Sequence, residues 1–535
     1  MRRILVLAVL ALCVLAPLVG AAGATGPANQ TNATQPSANA SSAPPDPQTD
    51  RIGWEDGYWY NESIDVDQSD GLSQSELDAV IGRTMARVEH LRGLEFEKSV
   101  PVTVVSRSEF RNQTTGGSDT SETLRTFDNA KFEALFLVNE STDSIGVQNE
   151  NSGSNTLGYY SPSKDEIVLI YNGDSPSSAR VDELTLAHEL MHALQDQQFN
   201  LSDRGRTTRD AVNGRKGLVE GDPRNLEHIY RPKCGDGGAW NGTCVEPEDS
   251  GSTGGGGSLA NIGVYFVKYF PYADGPGFVS YYHNHGGWDA VNQMYADPPA
   301  SAEQVIHPEK YRTDPPTNVS LADQTTDSWE RVRPSGRVDY AELGQSSLAA
   351  MFAYPLYDKN NPGQLINPRE WLNYTSSGSI SSTDPLNYDL PVVDGWDGDK
   401  MYVYQNADGE TGYVWRLVWD SEGDATEFAN GYRSLLDHWN ANDEGSGTYV
   451  VPSGGFADAF HLSVDGKTVT IVNAPTKDQL TQVRTSLDLD TGTQTTSGTT
   501  SNDTTTDTTS GSSPGFGLGA ALAAVLAAVL LARRR

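Results

Sequence analysis

Two histidines stand four residues apart in the segment LTLAHELMHALQDQQF, which covers residues 184–199. We predict a helix for this segment, with its start favoured by acidic residues just before it. Residues i and i+4 lie on one face of a helix, so His188 and His192 project side by side. Glu189 lies one position further round the same helix.

The histidine spacing predicts a metal site. It suits two imidazoles on one Zn²⁺, each at about 2.0–2.1 Å from the ion. Glu189 is displaced from the ligand direction and is placed to take a proton from a water at the metal. We therefore expect Zn²⁺ as the cofactor, His188 and His192 as ligands, and Glu189 as the catalytic base. The alternative is a solvated helix face with two ordinary histidines.

A tetrahedral catalytic zinc site needs a third protein ligand. Glu220, in the downstream segment LVEGDP, is the first choice, carried by a second helix packed beside the first. Asp222 and His228 are alternatives, and Asp222 suits a second role, orienting a ligand histidine through a hydrogen bond. Pro223 is expected to end or bend this helix.

The remaining pattern predicts an α+β fold. A helix with a Ser73/Glu76 capping box is expected from residue 72 to 94. Ser177 or Ser178 is expected to cap the histidine helix. Strands are predicted at 99–106 and 133–138, and a hairpin at 157–171. Further helix-like segments (341–356 and 424–439) and strand-like segments (413–419 and 467–472) follow.

Composition shifts divide the chain into segments. The predicted segments are a signal peptide (1–25), a disordered linker (26–50), a main domain (51–330), a C-terminal lobe or second domain (331–489), a Thr/Ser-rich spacer (490–513) and a C-terminal signal with a transmembrane helix (514–535). A glycine-rich insertion is expected at 249–258, and the apolar run 259–270 is too short to span a membrane, so burial is expected.

The two ends of the chain predict its location. The first residues combine a basic start, an apolar run and small residues, as in a secretory signal peptide. Near the other end, Pro514, Gly515 and Phe516 precede an apolar stretch and three arginines. This order resembles the PGF-type sorting signal of archaeal cell-surface proteins, which implies an archaeosortase-type processing partner and a membrane anchor. A plain C-terminal anchor is the alternative, and both leave the folded part outside the cell.

The charge excludes one class of partner. The chain has 71 acidic and 38 basic residues, a net charge of −33. Such a surface would repel a phosphate backbone, so nucleic-acid binding is excluded. Dispersed acids are best explained by adaptation to high salt, where their mutual repulsion is screened.

Export also bears on cysteines and glycans. In an oxidising compartment Cys234 and Cys244 are expected to form a disulfide. Two zinc thiolates are the alternative, but partner ligands are lacking nearby. Candidate glycosylation sequons stand at Asn29, Asn32, Asn61, Asn112, Asn139, Asn200, Asn241, Asn318, Asn373 and Asn502.

The motif from His188 to His192 with a downstream glutamate resembles the gluzincin group of zinc metallopeptidases. The segments LGYYSPSKDEIVLIY, HELMHALQDQQF, LVEGDP and SAEQVIHPEKY are similar to a peptidase-type surface-protein family of halophiles, over about residues 52–440. The resemblance implies a zincin-like catalytic domain, in which the edge strand of a mixed sheet aligns a peptide or protein substrate beside the active-site helix, plus a further α/β C-terminal region. The edge strand is expected at Glu166–Tyr171, and Glu220 is the implied third ligand.

Two questions stay open at this level. A donor must stabilise the oxyanion that forms during peptide hydrolysis, and His307 is the first choice, with Tyr311, His283 and His285 as alternatives. The expected function is an exported, surface-anchored zinc metallopeptidase. The alternative is an inactive, peptidase-like structural or adhesive surface glycoprotein, while a membrane sensor is disfavoured because only three arginines follow the apolar stretch.

Overall fold

The computed structural model describes residues 46–115, 120–173, 175, 179–202, 207–246, 259–381 and 384–489. The predicted signal peptide, glycine-rich insertion, spacer and sorting signal lie outside these residues, as does most of the linker. In chain order the strands and helices are β1 (Trp54–Glu55), β2 (Tyr58–Trp59), α1 (Gln74–Arg92), β3 (Val102–Ser106), α2 (Arg107–Thr115), α3 (Glu122–Ala134), α4 (Ser144–Asn155), β4 (Gly158–Ser161), β5 (Glu166–Tyr171), α5 (Glu183–Phe199), α6 (Arg209–Cys234), α7 (Ile262–Ala273), α8 (Gly275–Met294), α9 (Glu303–Ile306), β6 (Trp329–Arg331), α10 (Gly344–Ala353), β7 (Trp396–Asn406), β8 (Thr411–Trp419), α11 (Glu422–His438), β9 (Asn442–Gly445), β10 (Thr448–Val450), β11 (Ala459–Asp465), β12 (Thr468–Ala474) and α12 (Lys477–Val483).

A small mixed sheet lies next to the histidine helix α5. Its strand order is β3-β5-β4, with β3 parallel and β4 antiparallel to β5. The predicted hairpin is confirmed, but the predicted edge strand is wrong. Glu166–Tyr171 is the central strand, and its four inner residues are all buried, as expected of a strand paired on both sides. The two edge strands are β3 and β4, and β4 (Gly158–Ser161) is an edge strand that contacts α5 at Glu189.

Local signals predicted the N-terminal helix correctly and one strand incorrectly. Helix α1 begins with the predicted capping box, in which Ser73 and Glu76 bond each other's backbone amides. The predicted strand at 133–138 is wrong, because α3 runs to Ala134 and the residues after it form a turn. Leu135, Phe136, Leu137 and Val138 are at most 2% exposed. A short buried apolar run does not distinguish a strand from a buried turn.

Helix α5 differs from the prediction in its capping residue, and helix α6 differs in its length. Asp182 caps α5, because its side chain accepts a hydrogen bond from the Thr185 amide. The predicted serine caps at 177 and 178 lie outside the described residues. Helix α6 continues through Pro223 and Pro232 to Cys234, so the helix does not end at Pro223. Packing of α6 against its neighbours outweighs the missing backbone hydrogen bond.

The second half of the chain builds a larger sheet. Seven strands, all paired antiparallel, follow the order β6-β7-β8-β12-β11-β10-β9. A buried apolar cluster joins this sheet to α3, α7, α8 and α10. The protein is therefore mixed α/β with several sheets, in agreement with the coarse α+β prediction. The predicted boundary between residues 330 and 331 stays a prediction.

The disulfide between Cys234 and Cys244 is confirmed. It closes a loop that returns to the start of α5, where Val245 and Glu183 exchange hydrogen bonds. None of the helices in the described part of the chain is long and apolar enough to cross a bilayer.

Buried charges fix the position of α1. Glu183, at the first turn of α5, pairs with Arg83 and Arg87 of α1 and accepts a hydrogen bond from Tyr230. These two arginines are fully buried. Each depends on Glu183 because a buried charge without a partner is strongly destabilising.

We predict that Glu183→Gln lowers the free energy of unfolding by about 3–5 kcal/mol, because it leaves two buried guanidinium groups without an anionic partner. Glu422→Gln is the matched control, since Glu422 occupies the same first position of α11 but is exposed. Denaturant unfolding in high salt measures both variants. Equal stability of the two variants would contradict the assigned role of Glu183.

Candidate metal centre

Three side-chain atoms from two helices converge at one point. His188 and His192 lie on α5, and Glu220 comes from α6. Glu220 Oε2 lies 3.7 Å from His188 Nε2 and 3.2 Å from His192 Nε2. The three ligand atoms all lie within 4.8 Å of one another. The structure thus brings together the three residues that the sequence suggested as ligands.

These distances fit a tetrahedral cation site. Ligand atoms at 2.0–2.2 Å from a zinc ion are separated by roughly 3.3–3.6 Å along the edges of the tetrahedron. Glu220 Oε2 is also buried, and it has no hydrogen-bond donor when the two imidazoles carry their hydrogen on Nδ1. A buried carboxylate oxygen without a donor is costly, and a bound cation would satisfy it. The residues present therefore fit a divalent metal.

Glu227 orients the first histidine. Its Oε1 lies 2.7 Å from His188 Nδ1, and Arg224 donates to its other oxygen at 2.6 Å. A carboxylate on Nδ1 places the proton there and leaves Nε2 free to act as a ligand. The expectation that Asp222 orients a ligand histidine through a hydrogen bond is therefore wrong. Asp222 pairs instead with Arg92 of α1, because it lies on the α6 face towards that helix.

Gln195 orients the second histidine, with help from a proline. Gln195 Oε1 lies 2.8 Å from His192 Nδ1, and its Nε2 donates to the Val219 carbonyl oxygen at 3.0 Å. In a regular helix that carbonyl would accept from the amide of residue 223, which is Pro223 and has no amide hydrogen. Because Pro223 has no amide hydrogen, the Val219 carbonyl oxygen is available to accept from Gln195, which in turn contacts His192.

Glu189 is buried between α5 and the sheet edge. It is 6% exposed, and a Cβ added to Gly158 of β4 would lie 3.2 Å from its Cγ. Burial raises the pKa of Glu189, and the positive charge of the two imidazoles moderates this effect. A carboxyl group whose pKa is raised is a better proton acceptor at neutral pH than an ordinary glutamate.

The charges around the site favour a cation. Burial would lower the pKa of His188, but the carboxylates of Glu220 and Glu227 raise it to about 10. Burial would raise the pKa of Glu220, but Lys216 and the imidazoles hold it well below its usual range. Burial also opposes ionisation of Glu227, whereas Arg224 and His188 lower its pKa to about 2. Two ionised carboxylates therefore face the imidazole pair.

A pocket of about 220 Å³ opens beside His192 and Glu220. Its walls include Tyr160 from the edge strand, Phe199 from the end of α5 and Leu218 from α6. The pocket therefore lies between the edge of the small sheet and the ligand helices, and it is mostly apolar.

The candidate oxyanion donors are not brought to this group. His307 lies in a separate cluster with Asp389 and Asp394. Tyr311 donates to the Asp297 carbonyl oxygen, and His285 contacts the Tyr281 carbonyl oxygen. The aromatic ring beside the ligands is Tyr272 of α7, whose centroid lies 6.4 Å from that of His188.

Two further candidates are also accounted for. His283 contacts Trp288, with ring centroids 4.1 Å apart and the two rings tilted by 39°. His228, an alternative ligand, is not part of the group formed by His188, His192 and Glu220. Burial and the neighbouring Arg224 lower its pKa to about 4.

Comparisons with known proteins find matches for two regions in the second half of the chain. Residues 330–484 match a family model described as a domain of unknown function (DUF8575). Residues 513–535 match the PGF-CTERM motif, so the protein is an archaeosortase substrate anchored to the membrane at the archaeal cell surface. The predicted location is confirmed. The chain has no match among curated proteins or solved structures.

Close backbone contact positions Glu220, and this predicts the effect of adding one methyl group. A Cβ on Gly221 would lie 2.3 Å from the backbone oxygen of Gly275. Since neither backbone can yield locally, we expect Gly221→Ala to move α6 away from α8 and to lower the free energy of unfolding by about 1–3 kcal/mol.

Gly277→Ala is the matched control for this change. Gly277 is an exposed glycine of α8, and an added Cβ would have no described atom within 4 Å. We expect this variant to be as stable as the wild type or slightly more stable, because alanine favours helix. Denaturant unfolding checks both variants. A Gly221→Ala protein as stable as Gly277→Ala would show that the α6–α8 contact is not tight.

Proposed function

We propose that this protein is a surface-anchored zinc metallopeptidase that hydrolyses peptide bonds. The observation that carries the proposal is the convergence of His188 Nε2, His192 Nε2 and Glu220 Oε2 on one point, with both Nδ1 atoms held by other side chains. Two imidazoles and one carboxylate are a ligand set of catalytic zinc sites, in which the fourth position is left for water or substrate. This set also agrees with the gluzincin resemblance of the sequence.

The chain's own residues supply the proton chemistry. When bound, Zn²⁺ polarises a carbonyl group and lowers the pKa of water to near 7. Glu189 accepts the proton of the attacking water on its carboxylate and delivers it to the nitrogen of the leaving amine. Its buried position beside the ligand histidines, with a raised pKa, supports both transfers. Glu227 and Gln195 keep the histidine rings in place during the reaction.

The substrate is proposed to bind along β4. Gly158–Ser161 pairs with β5 on one side only, and it packs against the helix that carries Glu189. An extended peptide can add to such an edge by backbone hydrogen bonding. The scissile bond would then lie over the ligand histidines, and the apolar pocket lined by Phe199 and Leu218 would take one side chain of the peptide.

Tyr272 is the proposed donor to the oxyanion in place of His307. Its ring lies nearly parallel to that of His188, at an interplanar angle of 19°. A tyrosine hydroxyl can donate to an oxygen that develops negative charge.

We predict that Glu189→Gln lowers kcat for casein hydrolysis by about 10²–10⁴-fold while zinc remains bound, because the amide cannot accept the water proton. Glu427→Gln, at an exposed position of α11, is the control and should retain wild-type activity. The measurement combines peptide-cleavage assays with zinc quantification in high salt. Full activity of Glu189→Gln would contradict the proposed base.

A second prediction concerns zinc affinity. Glu227→Gln weakens the hold on His188 Nδ1, so we expect zinc affinity to fall about 10–100-fold. Glu150→Gln is the control, since Glu150 is exposed on α4. Competition with a chromophoric chelator measures both affinities. An unchanged zinc affinity in Glu227→Gln would contradict the proposal that this carboxylate orients His188.

The alternative function is an inactive, peptidase-like surface glycoprotein. It would be favoured if the wild type bound stoichiometric zinc but cleaved no member of a peptide library in a manner that depends on Glu189. The presence of the base together with all three ligands favours activity.

A further inference from the structure

A second group of potential ligands surrounds His307. This residue follows α9, and its Nε2 lies 3.8 Å from Asp389 Oδ1 and 3.9 Å from Asp394 Oδ1. The two aspartates flank a short 3₁₀ turn at Pro391–Val393. A third carboxylate, Glu309, lies 4.0 Å from His307 Nδ1. Both imidazole nitrogens of His307 therefore have carboxylates near them.

A buried amide provides an independent indication of a ligand. Gln345 of α10 is fully buried, and its Nε2 lies 3.2 Å from His307 Nε2. Its Oε1 has no hydrogen-bond partner among the described residues. The oxygen and nitrogen of a glutamine amide exchange places by a half-turn of the side chain. After that half-turn, Oε1 takes the position 3.2 Å from His307 Nε2 that the amide nitrogen occupies in the structure.

The local charge is uncompensated. In the described part of the chain no lysine or arginine forms an ion pair with Asp389 or Asp394. The neighbouring Lys310 pairs instead with Glu303, Asp314 and Asp420. A group with three acidic side chains and one imidazole is thus left with a net negative charge, which a divalent cation would neutralise.

We propose that His307, Asp389 and Asp394 bind a divalent transition-metal ion, with Gln345 Oε1 as a further ligand. An imidazole nitrogen disfavours Mg²⁺ and Ca²⁺, whereas an imidazole with carboxylates suits Zn²⁺ and similar ions. Asp389 and Asp394 are exposed, so small side-chain rotations bring their oxygens to ligand distance. The remaining positions are open to water.

Such an ion would connect two parts of the chain. His307 belongs to the region before the DUF8575 match, while the two aspartates lie within it. An ion that binds only the native state therefore stabilises the contact between these two regions. This site is independent of the proposed peptidase function, because it uses none of the same ligands.

The test is the Zn²⁺ stoichiometry and affinity of the full-length exported protein. Zinc is removed by chelation, restored by titration in high salt, and followed by elemental analysis and calorimetry. We expect about two ions per chain in the wild type and about one in His307→Gln. Asp394→Asn, at a position whose side chain is 64% exposed, should fold normally and bind the second ion at least about tenfold more weakly. Asp408→Asn, in an exposed turn, is the matched control and should bind two.

Variants of the two groups separate the two proposals. His192→Ala should lose one ion and keep the other, and adding His307→Gln should remove both. A wild type that binds one ion, lost in His192→Ala and kept in His307→Gln, overturns the second site and leaves the peptidase site standing. One ion lost in His307→Gln and kept in His192→Ala supports the second site and overturns the first. Displacement of the second ion by equimolar Ca²⁺ would overturn the assignment of a histidine ligand.

Discussion

Three buried arginines of α1 set the spacing of the helices that form the candidate metal centre. Arg83 and Arg87 pair with Glu183 at the start of α5, and Arg92 pairs with Asp222 of α6. All three arginines are fully buried, so any shift of α5 or α6 relative to α1 would separate opposite charges in a medium that solvates them poorly. The ligands lie within a few residues of these acids on the same helices. Helix α1 therefore acts as a fixed support for both.

A chain of hydrogen bonds links Asp222, one of these buried acids, to the candidate ligand His192. Asp222 accepts from the Tyr295 hydroxyl, which contacts Gln195, and Gln195 holds His192. The Val219 carbonyl oxygen gives Gln195 a third contact. This arrangement explains how a proline is compatible with the interior of α6. Pro223 has no amide hydrogen, so one helical hydrogen bond is lost. The Val219 carbonyl oxygen accepts instead from Gln195, which contacts the candidate ligand His192.

Much of this region could be predicted from local sequence, because its signals act within one element. The capping box at Ser73 and the face shared by His188 and His192 depend only on helix geometry. Glu227 could not be assigned, because its contact with His188 depends on how α5 crosses α6. Gln195 lies three residues after His192 on the same helix, but its contacts with Val219 and Tyr295 depend on how α5 packs against other elements. The prediction of Glu166–Tyr171 as an edge strand was wrong for a different reason. A continuous apolar run such as Glu166–Tyr171 indicates a central strand, and that signal was present in the sequence.

We propose that two histidines and a distant glutamate hold one cation, with Glu189 free to move protons. A crystal structure of the exported protein grown with Zn²⁺, with anomalous data at the zinc edge, would locate this ion. We predict an anomalous peak at about 2.0–2.2 Å from Nε2 of His188, Nε2 of His192 and Oε2 of Glu220. Full zinc occupancy elsewhere, with no peak between these three atoms, would contradict it.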